Sequence, residues 1–590
     1  MMDVHSRARV GQGRIRHISF TLQPDFERTR VHFRAHYQMD RPVRRHLALD
    51  VQDVHINHAR SSGVRLAYHV DQDDPILGQR LVLQDLEGAR EFDLEGTCSP
   101  QASALQWMEP GMTAGGTQPF LYTQCQAIHA RSLFPCQDTP SVRFTFDAEI
   151  EVPDSLRAVM GAGFRGEERK KGLRVFRYEM DQPVPSYLFS LAVGELAFRK
   201  TGNRCGVYAE PPVVEAAAWE LGRAESMLQF AEAEFGPYLW DRYDILVLPK
   251  GFPFGGMENP RLTFLSPAVI VGDRSHEATL AHELGHAWTG NLVTNATWES
   301  FWLNEGWTTY IECRIVEAFE GAETAAFRWR AGIDQLETEI GRFQAHPEWT
   351  ALRYDMKGLD PDETLSLVPY VKGALFLRAV EERVGRDRFD DFIRRYIHRF
   401  AFRSITTRAF LAYLMSRLPG IENQLDLRNW VDDPGLPSYP PNVPSRWYGQ
   451  VEEVRERFRQ GVVPRKAEVS AWNWRQVDMF LDTIPMHISL EACRALEDAF
   501  ALKESHQPGS LSHFYERAIR AGYQEAVPGI KRFLGEIGVM FNLRPVYRVL
   551  AQTWWSRPLV AEIYADNRPG YHPTTRRILE RILQEEGIDI

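Results

Sequence analysis

With 590 residues the chain is too long for one hydrophobic core, so three or four domains are expected. A composition of 44% hydrophobic, 12% aromatic and 25% charged residues excludes a disordered or fibrous chain. The formal net charge of −10 excludes a broad nucleic-acid footprint, which needs a surplus of Lys and Arg on one face.

The first twenty residues are basic but lack the apolar core of a secretory signal, and the longest apolar-rich stretch, 187–193, is only strand-sized. The six cysteines are scattered, with no Cys-x-x-Cys pair, and read as reduced thiols. These features point to a cytoplasmic protein with no membrane attachment. The first third reads as β-structure. Val31, Phe33, Ala35 and Tyr37 alternate with polar residues, as do Val142, Phe144, Phe146, Ala148, Ile150 and Val152. A β-rich domain is expected over 1–197.

From Pro211 the texture changes. A helical pattern over 214–235 stops at Gly236-Pro237, and a short apolar strand follows at 243–248. After a glycine-rich loop, a helix is expected over about 276–289, with Asp273 or Ser275 capping its start. Helical patterns continue to about Leu418, giving a second domain at 198–433. The proline-rich stretch 434–445 reads as a semi-rigid linker. Beyond it, 446–590 is a succession of short amphipathic helices such as 511–521, 524–534 and 575–584, which suits stacked antiparallel helix pairs. The whole is a multidomain α+β chain.

The chemistry concentrates in His282-Glu283-Leu284-Gly285-His286. Residues four apart share a helix face, so His282 and His286 can direct two imidazole nitrogens at one ion. Glu283 sits beside that ion at another angle, suited to hold its water. Catalytic zinc takes three protein ligands and an open fourth position. The third candidate is Glu305, in Asn304-Glu305-Gly306, with 18 residues between it and His286. Thr289 and Leu292 stand where a three-histidine site would need Gly and His, which excludes that alternative. The bland reading, two ordinary half-buried histidines, does not account for Glu305. Glu312, seven residues on, either orients a ligand imidazole or is a surface glutamate. Upstream lies Gly255-Gly256-Met257-Glu258-Asn259. Its glycines let backbone approach a substrate closely, and Glu258 supplies a fixed negative charge that could hold an α-ammonium; alone it would read as a glycine turn.

Together these motifs resemble the gluzincin zinc aminopeptidases, most closely the branch of leukotriene-A hydrolase and aminopeptidase B. Further matching blocks are Thr123–His129, Phe134–Val142, Trp288–Asn295 and Val368–Gly373. The resemblance spans roughly residues 15 to 445 and weakens beyond. It implies an N-terminal β-saddle, a thermolysin-like catalytic domain and a C-terminal armadillo-like helical domain. It implies one zinc ion per chain on His282, His286 and Glu305, with Glu283 as general base and Tyr370 donating its hydroxyl to the oxyanion. Glu258 with Gln126 would bind the substrate amino group, with Gly255, Gly256 and Met257 alongside. Gln124 and Asp362 match residues at the base of the first side-chain pocket. That implies acceptance of N-terminal Arg or Lys besides apolar residues, unless Asp362 merely ends a loop.

The substrates expected are peptides with a free N-terminus, with no nucleic acid, no membrane and no obligate protein partner. The same branch includes a lipid-epoxide hydrolase. Against that activity, Leu365 replaces its tyrosine, and Val539 and Phe541 replace the basic pair that anchors its lipid carboxylate. A catalytically silent zinc-bearing binder would not need Glu283, Glu258 and Tyr370 together. A scaffold role for the C-terminal helices stays open.

Overall fold

The computed structural model describes residues 3–590. Its first part is built on an eight-stranded sheet in which Ile15–Asp25 pairs antiparallel with Arg30–Met39 and parallel with Arg143–Pro153. The period of two does what it should: Val31, Phe33, Ala35 and Tyr37 are all buried, and so are Phe144, Phe146, Ala148 and Ile150. Three-stranded and four-stranded sheets complete this part.

A five-stranded mixed sheet follows, whose outer strand is the two-residue Gly256–Met257, antiparallel to Leu262–Leu265. Four long helices then carry or frame the site: Glu277–Gly285, the histidine helix; Trp302–Glu320, the glutamate helix; Ala322–Arg342, the bridging helix; and Val368–Val384, the tyrosine helix. The glutamate and tyrosine helices cross at glycines. A Cβ on Gly306 would lie 2.7 Å from the Cα of Gly373, so only glycine permits this approach.

The C-terminal part is helical. Arg446–Arg459, Trp474–Thr483, Pro508–Arg520, Met540–Gln552 and Pro573–Glu585 pack in succession as one layer, with shorter helices forming a second. One continuous core runs from Ile15 to Val431, so the β-rich first part and the part that follows it are not separately cored. A second core serves the C-terminal helices and takes in Phe327 and Ala331 of the bridging helix. Among the described residues no helix is long and apolar enough to cross a membrane, and all six cysteines are buried and unpaired.

Several local expectations need correction. The helix expected over 214–235 is two, Val214–Glu220 and Ala224–Phe235, broken at a turn containing Gly222. Neither Asp273 nor Ser275 caps the histidine helix. It starts after His276 with no side-chain cap, and Asp273 instead accepts from the Ser275 amide. The apolar-rich stretch 187–193 is indeed too short for a span and is irregular. It splits into the short turn Ser186–Leu188 and the strand Leu191–Gly194.

Candidate metal centre and cleft

The three parts of the chain meet at a cleft of 340 Å³ lined by Gln126 from the first, the histidine and glutamate helices from the second, and Trp474 and Phe541 from the third. At its base the side chains of His282, His286 and Glu305 converge. The two Nε2 atoms are 3.2 Å apart, and Glu305 Oε2 lies 3.2 Å from one and 3.5 Å from the other.

The outer ring nitrogens are engaged elsewhere. His282 Nδ1 is 3.1 Å from Glu312 Oε2, and His286 Nδ1 is 3.1 Å from the Thr289 carbonyl. Acceptors on the outer side favour the proton on Nδ1, which leaves the Nε2 lone pairs aimed inward. Two lone pairs and a carboxylate oxygen at this spacing repel one another unless a cation lies among them. Two imidazoles and one carboxylate are the donor set of catalytic zinc, so the residues fit the metal. Arg328 pairs with the other oxygen of Glu312, so this glutamate is held between a guanidinium and the His282 ring rather than displayed on the surface.

Glu283 points into the same space from the next position on the helix. A carboxylate oxygen of Glu283, one of Glu258 and a ring nitrogen of His286 all lie within 4.8 Å of one another. Its carboxyl rests on Gly256, where a Cβ would stand 2.3 Å from Oε1. Burial, reinforced by the charges of Glu258 and Glu305, pushes the Glu283 carboxyl well above the usual carboxylate range. Burial and Glu305 likewise push Glu258 up to about 7. Two acids held this close favour a shared proton or a positive group between them.

Glu258 is positioned by the expected Gln126 and by two residues that the motifs do not single out, Asn304 and Asn291. Asn304 and Gln126 each donate to its Oε1 at 3.3 Å, and Asn291 donates to its backbone carbonyl at 2.6 Å. Asn304 is the Asn of Asn304-Glu305-Gly306, so its adjacency to the candidate ligand Glu305 is the signal that could have found it. Tyr370, in the first turn of the tyrosine helix, lies over the His282 ring with centroids 5.9 Å apart. Gly255 and Gly256 line the cleft, as do Leu365 and Phe541.

Two expected contacts change. Neither Gln124 nor the Met257 side chain lines the cleft and both are buried, with the Gln124 amide donating to Met257 Sδ at 3.2 Å. Asp362 does line the cleft, but its Oδ2 already accepts from His129 at 2.9 Å and from Arg577 at 2.7 Å. An open acid ready for a basic side chain is therefore not what the cleft presents.

Residues 219–432 match the peptidase family M1 domain, residues 16–188 the peptidase M1 N-terminal domain, and residues 472–583 the C-terminal domain of leukotriene A4 hydrolase. The chain is 34% identical to leucine aminopeptidase 2 of Ajellomyces capsulatus, covering 91% of this chain and 89% of that one. It is 35% identical to leukotriene A-4 hydrolase of Xenopus laevis over 83% of each. A solved structure of yeast LTA4 hydrolase in complex with bestatin superimposes with a TM-score of 0.90 at 30% identity, covering 99% of this chain and 97% of that one.

Proposed function

The chain belongs to peptidase family M1, and on that premise we propose that it removes single residues from the free amino end of peptides, with uncharged side chains preferred. It is a zinc metalloaminopeptidase. The observation that carries the amino-end restriction is the acid pair Glu258 and Glu283 beside the converging ligands, with Gln126 donating to Glu258. An α-ammonium entering that space relieves the repulsion between the two acids and fixes the first peptide bond at one residue's reach from the metal ligands.

His282, His286 and Glu305 would hold one zinc ion, whose positive charge polarises the scissile carbonyl and acidifies water when bound. Glu283 takes a proton from the attacking water and passes it to the leaving amine. Tyr370 donates its hydroxyl to the oxyanion, a charge that exists only in the transition state. Glu312 holds the His282 ring in its ligating tautomer. Gly255 and Gly256 present backbone to the substrate at the edge of the sheet. Gln124 has no direct role in this scheme. The relatives named leucine aminopeptidase support an apolar first residue. We place the catalytic part at 198–433, flanked by the β-rich part at 1–197 and, after the 434–445 linker, the helical part at 446–590. Six buried, unpaired cysteines support a cytoplasmic enzyme.

A second reading, lipid-epoxide hydrolysis, draws on the Xenopus relative's name. Against it, Phe541 in the cleft and Val539 near it carry no cation for a lipid carboxylate. The deciding assay compares free and N-acetylated peptides of one sequence, with and without a zinc chelator. Zinc-dependent release of the first residue from the free peptide alone is expected. Equal cleavage of the blocked peptide would remove the role given to Glu258.

A further inference from the structure

The cleft wall beside the amine site carries an acid that the chain itself has neutralised. One short segment ties the two regions together. Gln126 reaches Glu258, and three residues on His129 Nε2 lies 2.9 Å from Asp362 Oδ2. That oxygen also accepts from Arg577 at 2.7 Å, while the other arm of the Arg577 guanidinium lies 3.3 Å from Asp360. The Asp362 side chain is only 7% exposed, so this is pairing with a buried acid rather than a loose surface contact.

Arg577 comes from the last helix, Pro573–Glu585, and 215 residues separate it from Asp362. The helix is firmly seated. His572 at its start is fully buried, stacks on Tyr122 with centroids 6.0 Å apart, and accepts from the Thr574 amide. One turn beyond Arg577, Arg581 pairs with Glu363 of the same loop. Two arginines on one helix face thus answer three acids, Asp360, Asp362 and Glu363.

We propose that Arg577 is a specificity-determining residue: a resident cation that occupies Asp362, so that this end of the cleft accepts apolar N-terminal side chains and disfavours Arg and Lys. The proposal rests on the aminopeptidase reading above. An incoming guanidinium would have to displace Arg577 or share one carboxylate with it against like-charge repulsion. A leucine or methionine side chain meets no such cost and packs on Leu352, Met356 and Leu365, which line the same cleft.

The test compares kcat/KM for matched leucyl and arginyl amidocoumarin substrates in the zinc-loaded full chain. The wild type should favour the leucyl substrate. Arg577→Met and Arg577→Gln should each raise the arginyl-to-leucyl ratio about tenfold or more, the scale of one charged hydrogen bond. Adding Asp362→Asn to either should return the ratio towards wild type, and Arg577→Lys should keep it. The ratio cancels general losses of activity, and a helix that merely cements the domains would not move it. The proposal is overturned by a wild type that prefers the arginyl substrate. It is equally overturned by an unchanged ratio in whichever of the Met and Gln variants folds. If instead the wild type cleaves N-acetylated peptides as fast as free ones, it is the aminopeptidase reading that fails.

Discussion

Glu283 and Gly256 fit each other so closely that the carboxylate is held by what the glycine lacks. With a Cβ at 256 the Glu283 carboxyl carbon would be 2.4 Å from it, so any side chain there pushes the carboxylate out of line. Glu283→Gln keeps the shape and removes the basicity. It should bind zinc at the wild-type ratio, read by atomic absorption, while kcat falls on the order of 100- to 10,000-fold. Zinc lost in parallel with activity would mean that Glu283 serves the metal and not the proton. The convergence of His282, His286 and Glu305 is legible in the sequence, because helical periodicity pairs positions four apart and a catalytic zinc demands a third donor. Glu312 is not legible in the same way. Spacing alone fits a surface glutamate equally well, and only its 3.1 Å approach to His282 Nδ1 decides the matter. Gln124 shows the converse: a matched motif position says nothing about burial, and its side chain is buried and does not line the cleft.

At the level of elements, the two motif glycines Gly306 and Gly373 explain each other. Each sits where its helix touches the other, and a Cβ on either would come within 2.8 Å of the opposite backbone. This contact brings Glu305, the neighbour of one glycine, and Tyr370, three residues before the other, to the same cleft. Gly306→Ala pits two effects against each other. Alanine favours an isolated helix by about 1 kcal/mol, whereas overpacking costs typically 1–3 kcal/mol. Here the atoms struck are backbone and cannot swing aside, so overpacking should win. Net destabilisation of about 1–2 kcal/mol is expected in urea unfolding, with reduced kcat/KM. A stability equal to or above wild type would show that the helices separate freely. Element identity is well legible in this chain, and boundaries less so. The 214–235 pattern stays amphipathic through the turn at Gly222, and periodicity does not register a break of three residues. In the C-terminal part, the helix read at 511–521 starts three residues earlier at Pro508, a residue suited to the first turn.

At the scale of the whole molecule, what the sequence hides is contact between distant segments: Arg577 with Asp362, or Tyr448 with the bridging helix. No local pattern encodes either pair. The bridging helix belongs to two cores at once. Trp329, Ile333 and Leu336 pack in the first, while Phe327 and Ala331 pack in the second. Between them lies Asp334, whose carboxylate accepts from Tyr448 at 3.0 Å and from Arg455 at 2.9 Å, both in the C-terminal part. A boundary at the proline-rich linker is therefore a boundary in the chain and not in the packing. A chain ending at residue 445 would uncover Phe327 and Ala331 and leave Asp334 with Arg330 at 3.3 Å as its remaining partner. Exposing one large apolar side chain forfeits about 1.5–3 kcal/mol, and the loss of the Phe541 and Trp474 cleft wall adds to it. Residues 1–445 expressed alone should therefore aggregate, seen as material in the void volume on size exclusion. Phe327→Gln with Ala331→Gln should shift the truncated chain towards monomer, because those changes treat the uncovered stripe itself. A truncated chain that is monomeric without them would show that the second core is an accessory to the first rather than its continuation.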